Sequence, residues 1–162
     1  MLRVATSYFY QVRFFKPYMI PVSTAMWDPK WYHNFRDQDH CFVDKNGVIN
    51  GLRILPLVPG SACNGLCMGI DDCPTQDWSS CDFLKVYTDQ LNSIDFGKFM
   101  AQLEKHVNQV QHMLGFSEQP LVVILVHEKT DKLCSERGPL QTWFREHGLY
   151  VCELMYPVQN YY

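Results

Sequence analysis

No apolar run in this 162-residue chain is long enough to span a bilayer: the longest, Pro120–Val126, is far short of the roughly 20 residues a membrane helix needs. No Gly-rich phosphate loop, His-Glu-x-x-His zinc helix or Gly-x-Ser-x-Gly elbow occurs either, so the common nucleotide, metalloprotease and hydrolase signatures are excluded. Internal repeats, low-complexity tracts and Ser/Gly linkers are absent. Charge is scarce, at 19% of residues, with a formal net value of −3, which argues against a broad phosphate-neutralising surface. After Arg3 the run Thr6-Ser7-Tyr8-Phe9-Tyr10 interrupts the hydrophobic stretch a signal peptide would need, and a cytoplasmic location is expected.

What is abundant is apolar: 47% of residues, enough for one buried core and too few residues for two ordinary domains, so residues 1–162 are read as one domain. Strand patterns fall at Leu2–Tyr8, Met19–Met26, Leu52–Val58, Leu121–His127 and Tyr150–Leu154. Leu121–Val126 is apolar at every position, as befits a central strand covered on both faces. Helical stripes lie between the strands. The strongest comprises Phe96, Phe99, Met100, Leu103, Val107, Val110 and Leu114, with Asp95 as N-cap, Ile94 as a staple and Gly115 as the terminating residue. A shorter helix after Asp82 buries Phe83, Leu84, Tyr87 and Leu91. A third, over Pro139–His147, buries Leu140, Trp143 and Phe144 and stops at Gly148. Strands separated by helices imply a three-layer, Rossmann-like α/β domain with a mostly parallel sheet.

Charges and rings are unevenly placed. The first forty residues hold five Lys/Arg against three Asp and ten aromatic residues, raw material for stacking a base or clamping a phosphate, or else for ordinary packing. Four of the seven cysteines, Cys63, Cys67, Cys73 and Cys81, fall within a loop spanning residues 59–82, spaced Cys-x3-Cys-x5-Cys-x7-Cys. The loop is rich in turn formers and has no hydrophobic face to order it. Four thiolates would satisfy tetrahedral zinc or, alternatively, an iron–sulfur cluster; reduced packing thiols or disulfides are the ordinary reading. Should one be a bystander, it is Cys63, farthest from the helix start, and three ligands would leave an open coordination position.

A second constellation follows the central strand: His127-Glu128-Lys129, then Cys134-Ser135-Glu136-Arg137-Gly138-Pro139, then the third helix. Ligands of open parallel sheets bind at the carboxyl ends of strands, where a helix start favours an anion. Cys134 beside Arg137 is a candidate nucleophile, Glu136 or Glu128 a general base, Arg137 a fork for phosphate or carboxylate, and Ser135 a cap or phosphate donor. The alternatives are a cap, a local ion pair and a buried filler thiol. Thr6, Ser7 and Tyr8 end the first strand, and Lys30 and Trp31 follow the second, all on the edge expected for Glu128 and Cys134. The six histidines lack a partner at metal spacing and are read as surface or structural residues.

Ala5-Thr6-Ser7-Tyr8-Phe9, Leu57-Val58-Pro59-Gly60 followed by Gly65-Leu66-Cys67 and Cys73, Cys81-Asp82-Phe83-Leu84 leading to Tyr87 and Leu91, and Glu128-Lys129 with Cys134-Ser135-Glu136-Arg137 and Trp143-Phe144 together resemble the family called domain of unknown function 488, found in bacteria and their mobile elements. The resemblance spans nearly the whole chain. It implies an α/β fold, no assigned activity, and a site at the cysteine and Cys-x-x-Arg positions. Many relatives place His where this chain has Ser135 and Glu136, so His-dependent chemistry does not transfer.

Three functions fit these features. One is a small enzyme acting on a nucleotide or other phosphorylated small molecule at the sheet's carboxyl edge. Another is a nucleic-acid-binding or nucleic-acid-processing protein with a metal-stabilised loop. The last is a mobile-element accessory protein that inhibits a host protein through an exposed aromatic patch drawn from Trp27, Trp31, Tyr32 and Tyr161–Tyr162. None involves a membrane.

Overall fold

A computed structural model of the chain describes residues 2–33, 41–63, 66, 81–127 and 135–155. Strands β1 (Arg3–Tyr8), β2 (Met19–Ser23), β5 (Leu121–Val126) and β6 (Cys152–Glu153) form a parallel four-stranded sheet in the order β2-β5-β1-β6. Helices α1 (Asp82–Asn92) and α2 (Phe96–Leu114) connect β2 to β5, and α3 (Arg137–Glu146) connects β5 to β6. The expected Rossmann-like α/β architecture is present. Among the described residues, no helix is long and apolar enough to cross a membrane.

The unbroken apolar character of β5 has the cause expected of it. Val122, Ile124 and Val126 pack into a cluster with Tyr87, Leu91, Phe99, Leu103, Leu140 and Phe144 of the three helices. Val123 and Leu125 pack the opposite way, with Phe9, Val12, Phe15, Met19, Tyr32 and Val48. Both faces are dry, so no position of the strand tolerates a polar side chain. The second face is covered by a 3-10 turn, Phe9–Phe14, by Tyr32 and by Val48 from the turn of a small hairpin of β3 (Phe42–Val43) and β4 (Ile49–Asn50), with no α-helix among its described residues; Ile49 of the hairpin packs into the first cluster.

The crossovers explain this division. From β1 the chain passes β5 to reach β2; the later crossovers run in the opposite direction. Parallel crossovers keep one hand, so connections running in opposite directions occupy opposite faces. β1 and β5 are therefore neighbours whose continuations part, which opens a crevice at their carboxyl ends.

Helix ends obey the local rules. The Asp95 carboxylate accepts from the Lys98 N–H at 3.1 Å, and Gly115 closes α2 at φ 77°. After α3, Leu149 N–H donates to the Phe144 carbonyl and Gly148 N–H to that of Arg145, both at 2.9 Å, a Schellman closure that Gly148 permits at φ 86°. Helix α1 starts one residue earlier than its pattern suggested, with Cys81 in the cap position and Asp82 in the first turn.

One expectation fails. Leu52–Val58 is no strand: only Arg53 bridges to Ser23 of β2, and the chain then turns through a 3-10 segment, Leu55–Leu57. Pro56 sits within that turn and Pro59 follows it; each lacks the N–H that a ladder needs. The hairpin of β3 and β4 went unread because two-residue strands carry no measurable alternation. Its turn is built by Asp44, whose Oδ1 accepts from Asn46 N–H at 2.8 Å and Val48 N–H at 3.1 Å.

Candidate functional site

The most developed polar cluster lies between the sheet and α3. Parallel pairing of β1 with β6 sets Glu153 opposite Thr6. The Thr6 hydroxyl donates to Glu153 Oε2 at 2.6 Å, and Arg137 Nε donates to the same oxygen at 2.8 Å. Gln141, one turn beyond Arg137 on α3, donates to Thr6 Oγ1 at 2.7 Å. Both members of the ion pair are largely withdrawn from water, with 10% of the Arg137 side chain and 17% of the Glu153 side chain exposed.

Burial pushes the Glu153 carboxyl above its ordinary value, against the pull of the Arg137 charge and the two hydrogen bonds. Its Oε1 is buried and, among the described residues, has no hydrogen-bond partner. An unsatisfied carboxylate oxygen is costly, and such groups concentrate where chemistry or binding uses them. Beside it opens a cleft of about 400 Å³ lined by Gln141, Arg145, Tyr150, Cys152 and Glu153.

At the start of α3 the Ser135 hydroxyl accepts from the Arg137 N–H at 3.2 Å. Ser135, Glu136 and Arg137 are all buried. Burial, and secondarily the negative charge of Glu136, raise the Cys63 thiol, and the same two causes, in the same order, raise the Tyr87 phenol. The Tyr87 hydroxyl donates to the Leu57 carbonyl at 2.6 Å. Cys63 is thereby tied electrostatically to the turn that opens α3, although the two are distant in sequence.

The crevice between β1 and β5 holds rings. Phe9 lies 5.1 Å from His127, 5.3 Å from Tyr32 and 6.3 Å from Trp31 between ring centroids, and His127 Nε2 meets the Trp27 carbonyl. The chain matches no family model, no curated protein and no solved structure. Function is therefore read from geometry. Over the end of β2, the nearly sealed Asp28 carboxylate accepts from the Ser23 hydroxyl, lies 2.7 Å from His33 Nε2 and pairs with Arg53 Nε at 3.6 Å.

The sequence-nominated residues divide into groups. Thr6 and Ser7 are turned into the seam with β6, Ser7 donating to the Leu154 carbonyl at 2.6 Å. Trp31 reaches the crevice rim, Lys30 beside it is exposed, and the Tyr8 hydroxyl accepts from Gln11 at 2.8 Å. Tyr32 is fully buried and cannot contribute to an aromatic docking patch, whereas Trp27 is 77% exposed. Glu128, Cys134, Cys67, Cys73 and the Tyr161–Tyr162 pair lie outside the described residues. Cys63 and Cys81 are free, buried thiols, and the turn carrying Cys63 packs on α1, the helix that Cys81 begins. Among the described residues, no three His, Cys, Asp or Glu converge as a metal set.

Glu153, Gln141, Asp28, His33 and Arg53 were missed. Glu153 did carry a signal: a carboxylate within the apolar run Val151-Cys152-Glu153-Leu154 needs a buried partner. Asp28 carried a weaker one, its place just beyond the carboxyl end of a strand.

Proposed function

We propose that this protein is a small enzyme that binds a nucleotide or another phosphorylated small molecule along the edge strand β6, where β1 and β6 meet α3. The single observation that carries the reading is Glu153: largely withdrawn from water, raised in pKa, held on one oxygen by Arg137 and Thr6, and, among the described residues, unsatisfied on the other, in the wall of a cleft. A carboxyl so placed is suited to move a proton on a bound substrate. Arg137 and Gln141 act as positioning residues for it, and Arg145, on the cleft wall, supplies positive charge for a phosphate. Glu136, Glu128 and Cys134 remain the sequence's candidates for further acid–base or nucleophilic roles, and Tyr8 and Ser135 for ligand contacts; Trp31, with Lys30 beside it, stands with the Phe9 ring, apart from the Glu153 cleft. Cys63, Cys67, Cys73 and Cys81 are assigned to structural zinc, with an iron–sulfur cluster as the alternative, supported by the packing of one end of the segment on the helix that begins at the other.

Isothermal titration against a panel of nucleotides and sugar phosphates tests the reading. Binding by at least one ligand is expected, weakened at least tenfold in Arg145→Ala. Its turnover is expected to be lost in Glu153→Gln while binding persists. A flat response from the entire panel with folded, metal-replete protein would overturn it.

A further inference from the structure

On the far side of the sheet, the 3-10 turn after β1 and the β3–β4 hairpin enclose a groove of about 820 Å³. Three rings line it and remain open to solvent: Tyr10 at 50%, Trp31 at 42% and Phe14 at 37% exposure. Singly such exposure is ordinary; three rings gathered in one groove form the kind of apolar patch that marks an interaction site. Two cations share the groove, Arg13 and Lys45. The Arg13 guanidinium is stacked 3.6 Å above the centroid of Tyr10, and its Nε donates to the Tyr10 carbonyl at 3.0 Å, so a flat, charged plane is held in place. The turn of the hairpin is fastened to this segment by Asn46, whose side-chain amide donates to the Arg13 carbonyl at 3.2 Å.

Among the described residues lining the groove one is an acid, Asp44, and it is turned inward to serve the hairpin. Its Oδ1 accepts from the backbone of Asn46 and Val48, and its Oδ2 accepts from Asn50 Nδ2 at 3.1 Å. The described lining thus pairs stacking faces with cations, and the Asp44 carboxylate within it is spent internally. Flat apolar faces alternating with positive charge are what successive unstacked bases and their phosphates require, whereas a fatty chain would leave the cations unused and an acidic chain without rings would leave the stacking faces unused. We infer that the groove formed by Tyr10, Arg13, Phe14, Trp31 and Lys45 binds single-stranded nucleic acid. The inference does not depend on the chemistry assigned to Glu153, which lies at the opposite edge of the sheet.

Fluorescence anisotropy with end-labelled dT12 and rU12 tests it on the full chain. Binding is expected at 50 mM salt. If Arg13 and Lys45 each neutralise one phosphate, the single-strand salt slope makes affinity fall by about sevenfold at 200 mM. Tyr10→Ala and Arg13→Ala should each weaken binding by about fivefold or more, the loss of one stacked base. Both positions are exposed, and unchanged melting temperatures will show that the fold survives. Lys105→Ala, on the exposed face of α2, should bind as the parent does. The inference is overturned if neither oligonucleotide binds at 50 mM salt, if duplex binds as well as single strand, or if Lys105→Ala weakens binding as much as Arg13→Ala.

Discussion

Replacing Arg137 with Met removes the cation paired with Glu153 among the described residues, while keeping an apolar stem of similar length in the first turn of α3. Glu153 then faces burial with the Thr6 hydroxyl alone. Breaking a buried pair from one side costs about 3–5 kcal/mol, because a charge remains without compensation. The structure also bounds that cost. Rather than stay charged, the carboxyl can take a proton, at about 1.4 kcal/mol for each pH unit above its ordinary value of 4.5. At pH 8 the electrostatic penalty therefore cannot exceed about 5 kcal/mol, and at pH 5 it shrinks to about 0.7 kcal/mol.

The direction follows from linkage. Glu153 already has a folded-state pKa above its unfolded value, so its contribution is most favourable below about pH 4.5 and is lost as pH rises through the raised folded value. Arg137→Met widens that window upward. Urea melts of the parent, Arg137→Met, Glu153→Gln and the double variant at pH 5, 6.5 and 8 measure it. Glu153→Gln keeps an acceptor for Arg137 and Thr6 and discards the charge, so its loss should be smaller at pH 8 than at pH 5. In the double variant the pH-dependent part of the Arg137→Met penalty should vanish. A penalty equal at pH 5 and pH 8, or one that Glu153→Gln leaves untouched, would refute the account of the pair.

Gly47→Ala should destabilise the chain by about 1–2 kcal/mol, since a left-handed backbone disfavours any Cβ; here φ is 80° and a built Cβ would lie 3.0 Å from Pro17 Cγ. Equilibrium denaturation checks this, and a neutral result would mean that the hairpin shifts freely. Elemental analysis with an absorbance spectrum of anaerobically purified protein should find one zinc per chain and no visible band, or iron with one, and chelation should lower the melting temperature. Metal-free protein with an unchanged melt would remove the assignment of the four cysteines.

The architecture was legible because its determinants are local or periodic. Six consecutive apolar residues in β5, the α2 stripe with Asp95 and Gly115 at its ends, and Gly148 after α3 each act within one element, and the right-handed crossover rule then leaves few ways to assemble them. The failures have a common cause. Leu52–Val58 is apolar because Leu57 is wholly buried and Ile54 nearly so, in the core beside β2; burial in an irregular segment leaves the same mark as burial in a strand. Composition records that a side chain is dry and not what its backbone does.

The candidate site was legible in part, and its limits are topological. Arg137 could be nominated because it stands at a strand–loop–helix junction, a position that function favours in every parallel sheet. Its partner could not, because Glu153 meets it only through the register of β6 on β1, and the order β2-β5-β1-β6 is set by long-range packing that no window of sequence contains. The same fact assigns different weights to neighbouring hydroxyls. Thr6 and Ser7 looked like ligand groups while β1 was considered alone; once β6 lies beside it, both hydroxyls are spent on fastening that short strand, Thr6 to Glu153 and Ser7 to the Leu154 carbonyl. A two-residue edge strand has little ladder of its own, so these side-chain bonds carry what backbone pairing cannot, and they hold Glu153 in the cleft wall with one carboxylate oxygen buried and, among the described residues, unsatisfied.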